Sequence, residues 1–329
     1  MISAVELFAG AGGMALGFER AGLDHRLLVE FDRHACDTLA ANRPAWTLHR
    51  GDVRDVSYAD VQADVLAGGF PCQSFSHAGK RLGMEDTRGT LFYEIVRAAS
   101  IIQPRLVLLE NVQGLLTHDG GRTFDVVQGV LANLGYTVDH RLLNAADFGA
   151  AQRRMRVVIA AHRLPGRFVF PEPTHLEHRT LRQALDGVPA SPYPPYSPAT
   201  RAVFDLVPAG GNWRSLPDDV KDAYMGAARH SGGGKTGLAR RLSWDQPCPT
   251  VTTSPSQKLT GFCHPSETRP LAIREYARVQ GFPDDWQFSG PLGAQYRQVG
   301  NAVPVALAEA VGRAVAAQLA TEPAVSRSA

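Results

Sequence analysis

The first 160 residues alternate short apolar runs with longer amphipathic ones, the pattern of βαβ units wound around a parallel sheet. Strands are predicted at Ala4–Ala9, Arg26–Phe31, Asp64–Gly68, Arg105–Glu110, Thr137–Leu143 and Arg156–Ala161, with helices between them at Gly13–Ala21, Arg33–Asn42, Thr90–Ile102 and Thr123–Leu134. Asp32 is placed to cap the second helix and Gly135 to end the last. Past Pro165 the periodicity is lost, with five prolines among residues 189–198 and the glycine clusters Gly210-Gly211 and Gly232-Gly233-Gly234. Regular structure should be sparse there, as in a loop-rich domain that carries recognition residues. From Pro270 order returns, with helices at Leu271–Gln280 and from Val305 to about Leu319, and a tail that frays from Thr321.

With 329 residues, 44% of them apolar and 20% charged, the chain has enough core for two domains and is not a disordered protein. No apolar run approaches the ~18–20 residues of a spanning helix, and Met1 to Glu6 hold no basic segment of a leader peptide. The four cysteines, Cys36, Cys72, Cys248 and Cys263, form no C-x-x-C pair, so neither a disulfide framework nor a metal site is indicated and a cytoplasmic protein is expected. The net charge of +2 conceals a division. Residues 1–150 carry 13 Lys and Arg against 18 Asp and Glu, whereas residues 151–260 carry 15 against 8. A basic middle third beside an acidic first half points to a polyanion partner for the former.

The candidate chemistry gathers at strand ends. Phe8-Ala9-Gly10-Ala11-Gly12-Gly13-Met14-Ala15 matches G-x-G-x-x-A before a helix, with Glu30 at the end of the second strand. That arrangement suits an adenosine-containing ligand and leaves NAD and S-adenosylmethionine both open; Asp52, in Gly51-Asp52-Val53, is a further acid for an adenine amino group. Gly69-Phe70-Pro71-Cys72-Gln73 follows the next strand and offers a nucleophilic thiol on the same sheet edge. Leu109-Glu110-Asn111-Val112 brings a carboxyl group there, a candidate general acid. In Gln152-Arg153-Arg154-Met155-Arg156, strand alternation would send Arg154 and Arg156 to one face.

The ordered set FAGAGG, VEFD, GDV, GGFPCQSFS, DTRGTLFYE, ENV, QRRMR, RPLAIREYARVQGFPDDW and QVGNAVP resembles the C5-cytosine DNA methyltransferases, particularly the compact bacterial enzymes of restriction–modification systems. The resemblance runs from Ala4 to about Leu319 and leaves only Arg179–Arg240 without a matching motif, as expected of a target-recognition domain. It implies a doubly wound, mostly parallel α/β fold of the S-adenosylmethionine-dependent methyltransferase type with a small loop-rich insertion. Residues 1–175 and 298–321 would form the catalytic domain, 176–268 the recognition domain, 269–297 a hinge and 322–329 a flexible tail. By position it makes Cys72 the nucleophile at cytosine C6 and Glu110 the contact to N3 and the 4-amino group, with Arg154 and Arg156 holding the base and Arg156 at O2. Phe8, Gly10, Gly12, Glu30, Asp52, Pro71, Leu91, Asn301 and Ala302 would surround S-adenosylmethionine. Gln73 begins a loop, to Gly89, that would close over DNA, and Thr252 is a phosphate-contact candidate. Duplex DNA, a restriction endonuclease as functional counterpart, and a monomer acting at the nucleoid complete the expectation. An RNA methyltransferase on the same fold is the nearest rival, which the long basic insert disfavours.

Overall fold

The structure, a computed structural model, describes residues 1–70, 91–226, 237–257 and 260–321. Its centre is a seven-stranded sheet of β1 (Ser3–Leu7), β2 (Asp24–Glu30), β3 (Leu48–Arg50), β4 (Val65–Gly68), β5 (Leu106–Val112), β6 (Thr137–Asn144) and β8 (Met155–His162), in the order β3-β2-β1-β4-β5-β8-β6. All neighbours are parallel except β8, which runs antiparallel to both β5 and β6. The order reverses beside β1, so the carboxyl ends of β1 and β4 open onto a crevice of the kind in which α/β sheets bind ligands. The six strands expected from the sequence are present, and β3 joins them; three residues are too few for alternation to register.

Helices α1 (Gly13–Arg20), α2 (Arg33–Asn42), α3 (Leu91–Ile102) and α4 (Arg122–Asn133) cover the sheet. Asp32 caps α2 as expected, its carboxylate accepting from His34 N and Ala35 N at 2.9 and 3.0 Å, a cap worth about 1 kcal/mol. Gly135, at φ 83°, turns the chain out of α4. On one face Phe92, Ile95 and Leu131 pack against Val5, Leu66 and Val107. On the other Phe18 and Met14 of α1 meet Leu307 and Val311 of the last helix. That crossing is close because small residues line it: a Cβ on Gly17 would stand 2.4 Å from Ala308 Cβ.

The proline-rich region is more regular than expected. It holds α5 (Leu181–Leu185), α6 (Pro198–Asp205) and α7 (Asp218–Met225), and the two-residue strands β9 (Arg240–Arg241), β10 (Cys248–Pro249) and β11 (Phe262–Cys263). Pro198 is the first residue of α6 and Ser197 its cap, so the sequence did contain a helix-start signal among the prolines. The short strand β7 (Gln152–Arg153), just before β8, pairs with β10 and ties the later segment to the carboxyl edge of the main sheet. Helices α8 (Ile273–Gln280), α9 (Leu292–Asn301) and α10 (Val305–Thr321) follow. The stretch Leu292–Thr321 has the length and apolar character of a membrane span, which the sequence reading did not expect; it is broken at residues 302–304, and half of its most apolar window is buried.

Candidate active site

A cavity of about 700 Å³ opens at the carboxyl edge of the sheet, between the loops after β1, β2 and β4, the end of β5, residues 250–253 and the end of α9. Its first wall is built from nearly consecutive chain. After β1, Phe8 takes φ 60°, a left-handed conformation rare for an aromatic residue, and Gly10 and Gly12 follow at φ 56° and 84°. The turn ends at the start of α1. Glu30, at the end of β2, spans the gap: its carboxylate accepts from Gly10 N at 2.7 Å, Asp32 N at 2.7 Å and Phe31 N at 2.9 Å. Burial raises the Glu30 carboxyl above its ordinary range, and these three amides counter the rise. Phe31 presents a ring that is 75% exposed at the rim. Below them lies Glu6, 2% exposed, whose Oε2 has no hydrogen-bond partner among the described residues. Burial and then the Glu30 charge hold the Glu6 carboxyl well above the usual carboxylate range.

The second wall is assembled from distant segments. Glu110 lies opposite Val158 and Arg156 opposite Val112 in the β5–β8 ladder, which makes Glu110 and Arg156 diagonal neighbours on one face. Arg156 Nε meets Glu110 Oε1 at 2.7 Å, with both side chains about nine-tenths buried. A Cβ on Gly69 would be 3.3 Å from Glu110 Oε2, so the segment leaving β4 passes directly over this pair. Asn111 secures that segment, donating to Phe70 O at 2.8 Å.

Arg154 behaves otherwise than strand alternation predicts. The strand is interrupted at this residue, between β7 and β8, and the side chain turns toward the far wall. Nη1 donates to Val251 O at 2.9 Å, and Nη2 to Gly300 O at 2.8 Å and Ala302 O at 3.2 Å. Burial, then the Arg156 charge, pull its pKa down to about 9, which leaves it cationic at neutral pH. Arg154 therefore braces the cavity, and both arginines line it.

Phe8, Gly10, Glu30, Leu91, Glu110, Arg154, Arg156, Thr252, Asn301 and Ala302 all line this one cavity. Pro71, Cys72 and Gln73 lie outside the described residues. Gly12 is beneath the lining: a Cβ there would come 2.8 Å from Leu39 Cδ2 and 3.1 Å from Trp286 Cζ2, so its smallness serves packing. Asp52 is not a lining residue; its carboxylate caps Arg54 N at 2.9 Å and pairs with the Arg54 guanidinium. Thr252 directs its hydroxyl to Ser254 O at 3.1 Å. Glu6, Phe31, Asn111, Thr250 and Gln298 also line the cavity, and the sequence alone assigns none of them a role of its own. Glu6 lies just before FAGAGG and Phe31 within VEFD, but one reads as an ordinary strand residue and the other as an exposed one.

These walls can hold a ligand that is cationic or donor-rich at one end and planar at the other, beside a carboxylate–guanidinium pair suited to a polar heterocycle. The comparisons with known proteins agree. The family model for C-5 cytosine-specific DNA methylase matches residues 2–317. The chain is 51% identical over 324 residues to the Type II methyltransferase M.Eco47II of Escherichia coli, covering 94% of this chain and 78% of that one. It is 48% identical over 323 residues to M.Sau96I of Staphylococcus aureus, covering 94% and 74%. Among solved structures, a prophage-encoded E. coli protein described as a DNA modification methyltransferase superposes with a TM-score of 0.70 at 24% identity, over 97% of this chain and all of that one. A DNMT2 of Spodoptera frugiperda gives 0.66 at 16% identity, over 96% and 100%, a likeness of fold. The chain belongs to the C-5 cytosine-specific DNA methylase family.

Proposed function

We propose that this DNA cytosine-5 methyltransferase takes its methyl group from S-adenosylmethionine bound along the Phe8–Glu30 wall and delivers it to a cytosine extruded from duplex DNA against Glu110 and Arg156. The observation that carries the reading is the Glu110–Arg156 pair beneath the backbone that runs into Pro71-Cys72, in the same cavity as the glycine turn. The cavity suits the cofactor: among the described residues Glu6 Oε2 is a buried polar atom without a hydrogen-bond partner and no atom stands within 4 Å of where a Cβ on Gly10 would be, and Phe31 is largely exposed at the rim. When bound, S-adenosylmethionine supplies an electrophilic methyl group.

The chain's own residues do the rest. Cys72 adds through its thiolate to cytosine C6, which makes C5 electron-rich enough to accept the methyl group. Glu110 contacts N3 and the 4-amino group, and Arg156 orients Glu110 and takes O2. Passage of the C5 proton to a water molecule then restores the C5–C6 double bond and expels the Cys72 thiolate. Burial supports the choice of Cys72 by elimination: Cys36 and Cys263 are buried with thiols pushed up to about 11, and Cys248 is higher still. Because a stacked base cannot reach such a pocket, it must leave the helix. Phe8, Gly10, Leu91, Asn301 and Ala302 contact the cofactor, joined by Pro71. Gln73 and Thr252 face DNA, and the basic stretch 151–260 meets its phosphates. The enzyme works as a monomer in the bacterial cytoplasm, protecting sites that a partner endonuclease would cut.

Bisulfite sequencing of DNA from cells expressing the protein identifies the modified base and its context. A duplex with 5-fluorocytosine at that position has no C5 proton to lose. It should therefore arrest as a covalent adduct that requires S-adenosylmethionine and maps to the peptide holding Cys72. Methylation of ordinary cytosine without an adduct, or attachment at Cys36, Cys248 or Cys263, overturns the assignment. DNA affinity should also fall steeply with salt while cofactor affinity does not.

A further inference from the structure

Residues 250–253 form one side of the cavity, yet at Val251 and Thr252 they belong to no strand or helix. Backbone donors and acceptors buried in such a segment must find partners elsewhere. Here side chains supply them. Val251 N donates to Gln152 Oε1 at 2.9 Å, and Val251 O accepts from Arg154. Both backbone polar groups of Thr252 go to one phenol: Thr252 N donates to Tyr276 OH at 3.0 Å, and Tyr276 OH donates to Thr252 O at 3.0 Å. Tyr276 stands on α8, is 1% exposed, and packs its ring edge-on to Tyr296 at 5.1 Å. Burial pushes its hydroxyl up to about 12, so it remains a donor at working pH.

Thr252 is in turn pressed against α9. A Cβ on Gly300 would lie 2.2 Å from Thr252 O and 2.7 Å from Thr253 N, so the two backbones touch with no side chain between them. The next residues, Asn301 and Ala302, line the cofactor side of the cavity. Gln280, four residues beyond Tyr276 on α8, closes the arrangement by donating to Val299 O at 2.6 Å and Ala302 O at 3.0 Å and accepting from Gln152 at 2.7 Å.

Resting on the function proposed above, we infer that Tyr276 is a positioning residue for methyl transfer: its hydroxyl holds the Thr252 backbone against Gly300 and so fixes the DNA-side wall to the cofactor-side wall. With the two walls joined, a ligand that orders one side orders the other, and the two affinities are coupled reciprocally. Without the hydroxyl, each wall still binds its own ligand. The base and the methyl group are then misaligned, and a displacement of this kind costs rate rather than binding.

Tyr276→Phe removes the hydroxyl and keeps the ring. The probes are S-adenosylhomocysteine and a duplex containing the site mapped by bisulfite sequencing. In the unaltered enzyme the former should tighten binding of the latter by about 5-fold or more. In Tyr276→Phe each ligand alone should bind within about threefold of the unaltered enzyme, while the tightening disappears and kcat falls by about 10–100-fold at little-changed KM. Tyr136→Phe, which also loses a buried hydroxyl, bonded to Pro104 O, controls for a merely structural effect and should retain the coupling. Gly300→Ala keeps the phenol but drives the backbones apart, and should lose the coupling as well. Absence of coupling in the unaltered enzyme, or its persistence in Tyr276→Phe, overturns the inference, as does its loss in Tyr136→Phe. Failure of the unaltered enzyme to methylate or to bind either probe would instead sink the function on which the inference rests.

Discussion

The two walls of the cavity are made in different ways. The cofactor-side wall is largely a local structure: Phe8 to Gly13 turn within a few residues, and Glu30, one strand away, is held by three amides of its own and the neighbouring loop. Backbone and apolar side chains face the cavity here, with the carboxylates of Glu6 and Glu30 among the lining. The base-side wall has no local integrity. Glu110, Arg154 and Arg156 come from two antiparallel strands and a strand break, and they are fixed by ion pairing and by carbonyl oxygens of residues 251, 300 and 302. Binding an adenosine ligand needs a rigid turn that a short sequence can encode. Acting on a heterocycle needs charged groups from several directions, which only distant segments can supply.

This contrast can be broken by substitutions that should injure one wall and spare the other. The largest effect is expected from Cys72→Ala, which should abolish methyl transfer, by about 10³-fold or more, and leave cofactor affinity intact. Single-turnover assays with equilibrium cofactor binding decide it, and turnover within about tenfold of the unaltered enzyme would refute the nucleophile. Arg156→Ala comes next. It leaves a largely buried carboxylate unpaired, and kcat should drop by about 10²-fold with the cofactor Kd unchanged. A comparable loss of cofactor affinity would show that the walls are not separable at this pair.

Glu30→Ala attacks the other wall. Three backbone amides lose a charged acceptor, the glycine turn loosens, and cofactor Kd should rise by about tenfold or more, while DNA binding in the absence of cofactor stays the same. Calorimetric titration of each ligand tests this. The smallest effect concerns Glu6. A carboxyl whose native pKa is raised lends stability that is complete below its unfolded pKa of about 4.5 and is lost as pH rises through the native value. The ligand-free enzyme should thus lose Tm as pH rises above about 4.5, and Glu6→Gln should flatten part of that decline, Glu30 accounting for the remainder. Thermal melts across this range should show a shallower decline in Glu6→Gln, and equal slopes in both proteins would exclude the Glu6 contribution.

The six longer strands, the helices between them and the glycine turn are legible in the sequence, because each rests on periodicity or on residues adjacent in the chain. The sequence also named most of the cavity lining through the ordered motifs. Tertiary structure alone decided that β8 inserts antiparallel between β5 and β6, which makes Glu110 and Arg156 cross-strand partners. It also set Asp52 on Arg54 outside the cavity, and turned the Arg154 side chain onto the carbonyls of Val251 and Gly300. It placed Tyr276, an unremarkable residue of an amphipathic helix, on the backbone of Thr252. The reason is the range of the forces involved. Turns and helices answer to neighbours within a few residues, whereas the pairing of a buried charge or a buried peptide group is settled by whichever segment the completed fold brings within 3 Å, about the length of a hydrogen bond.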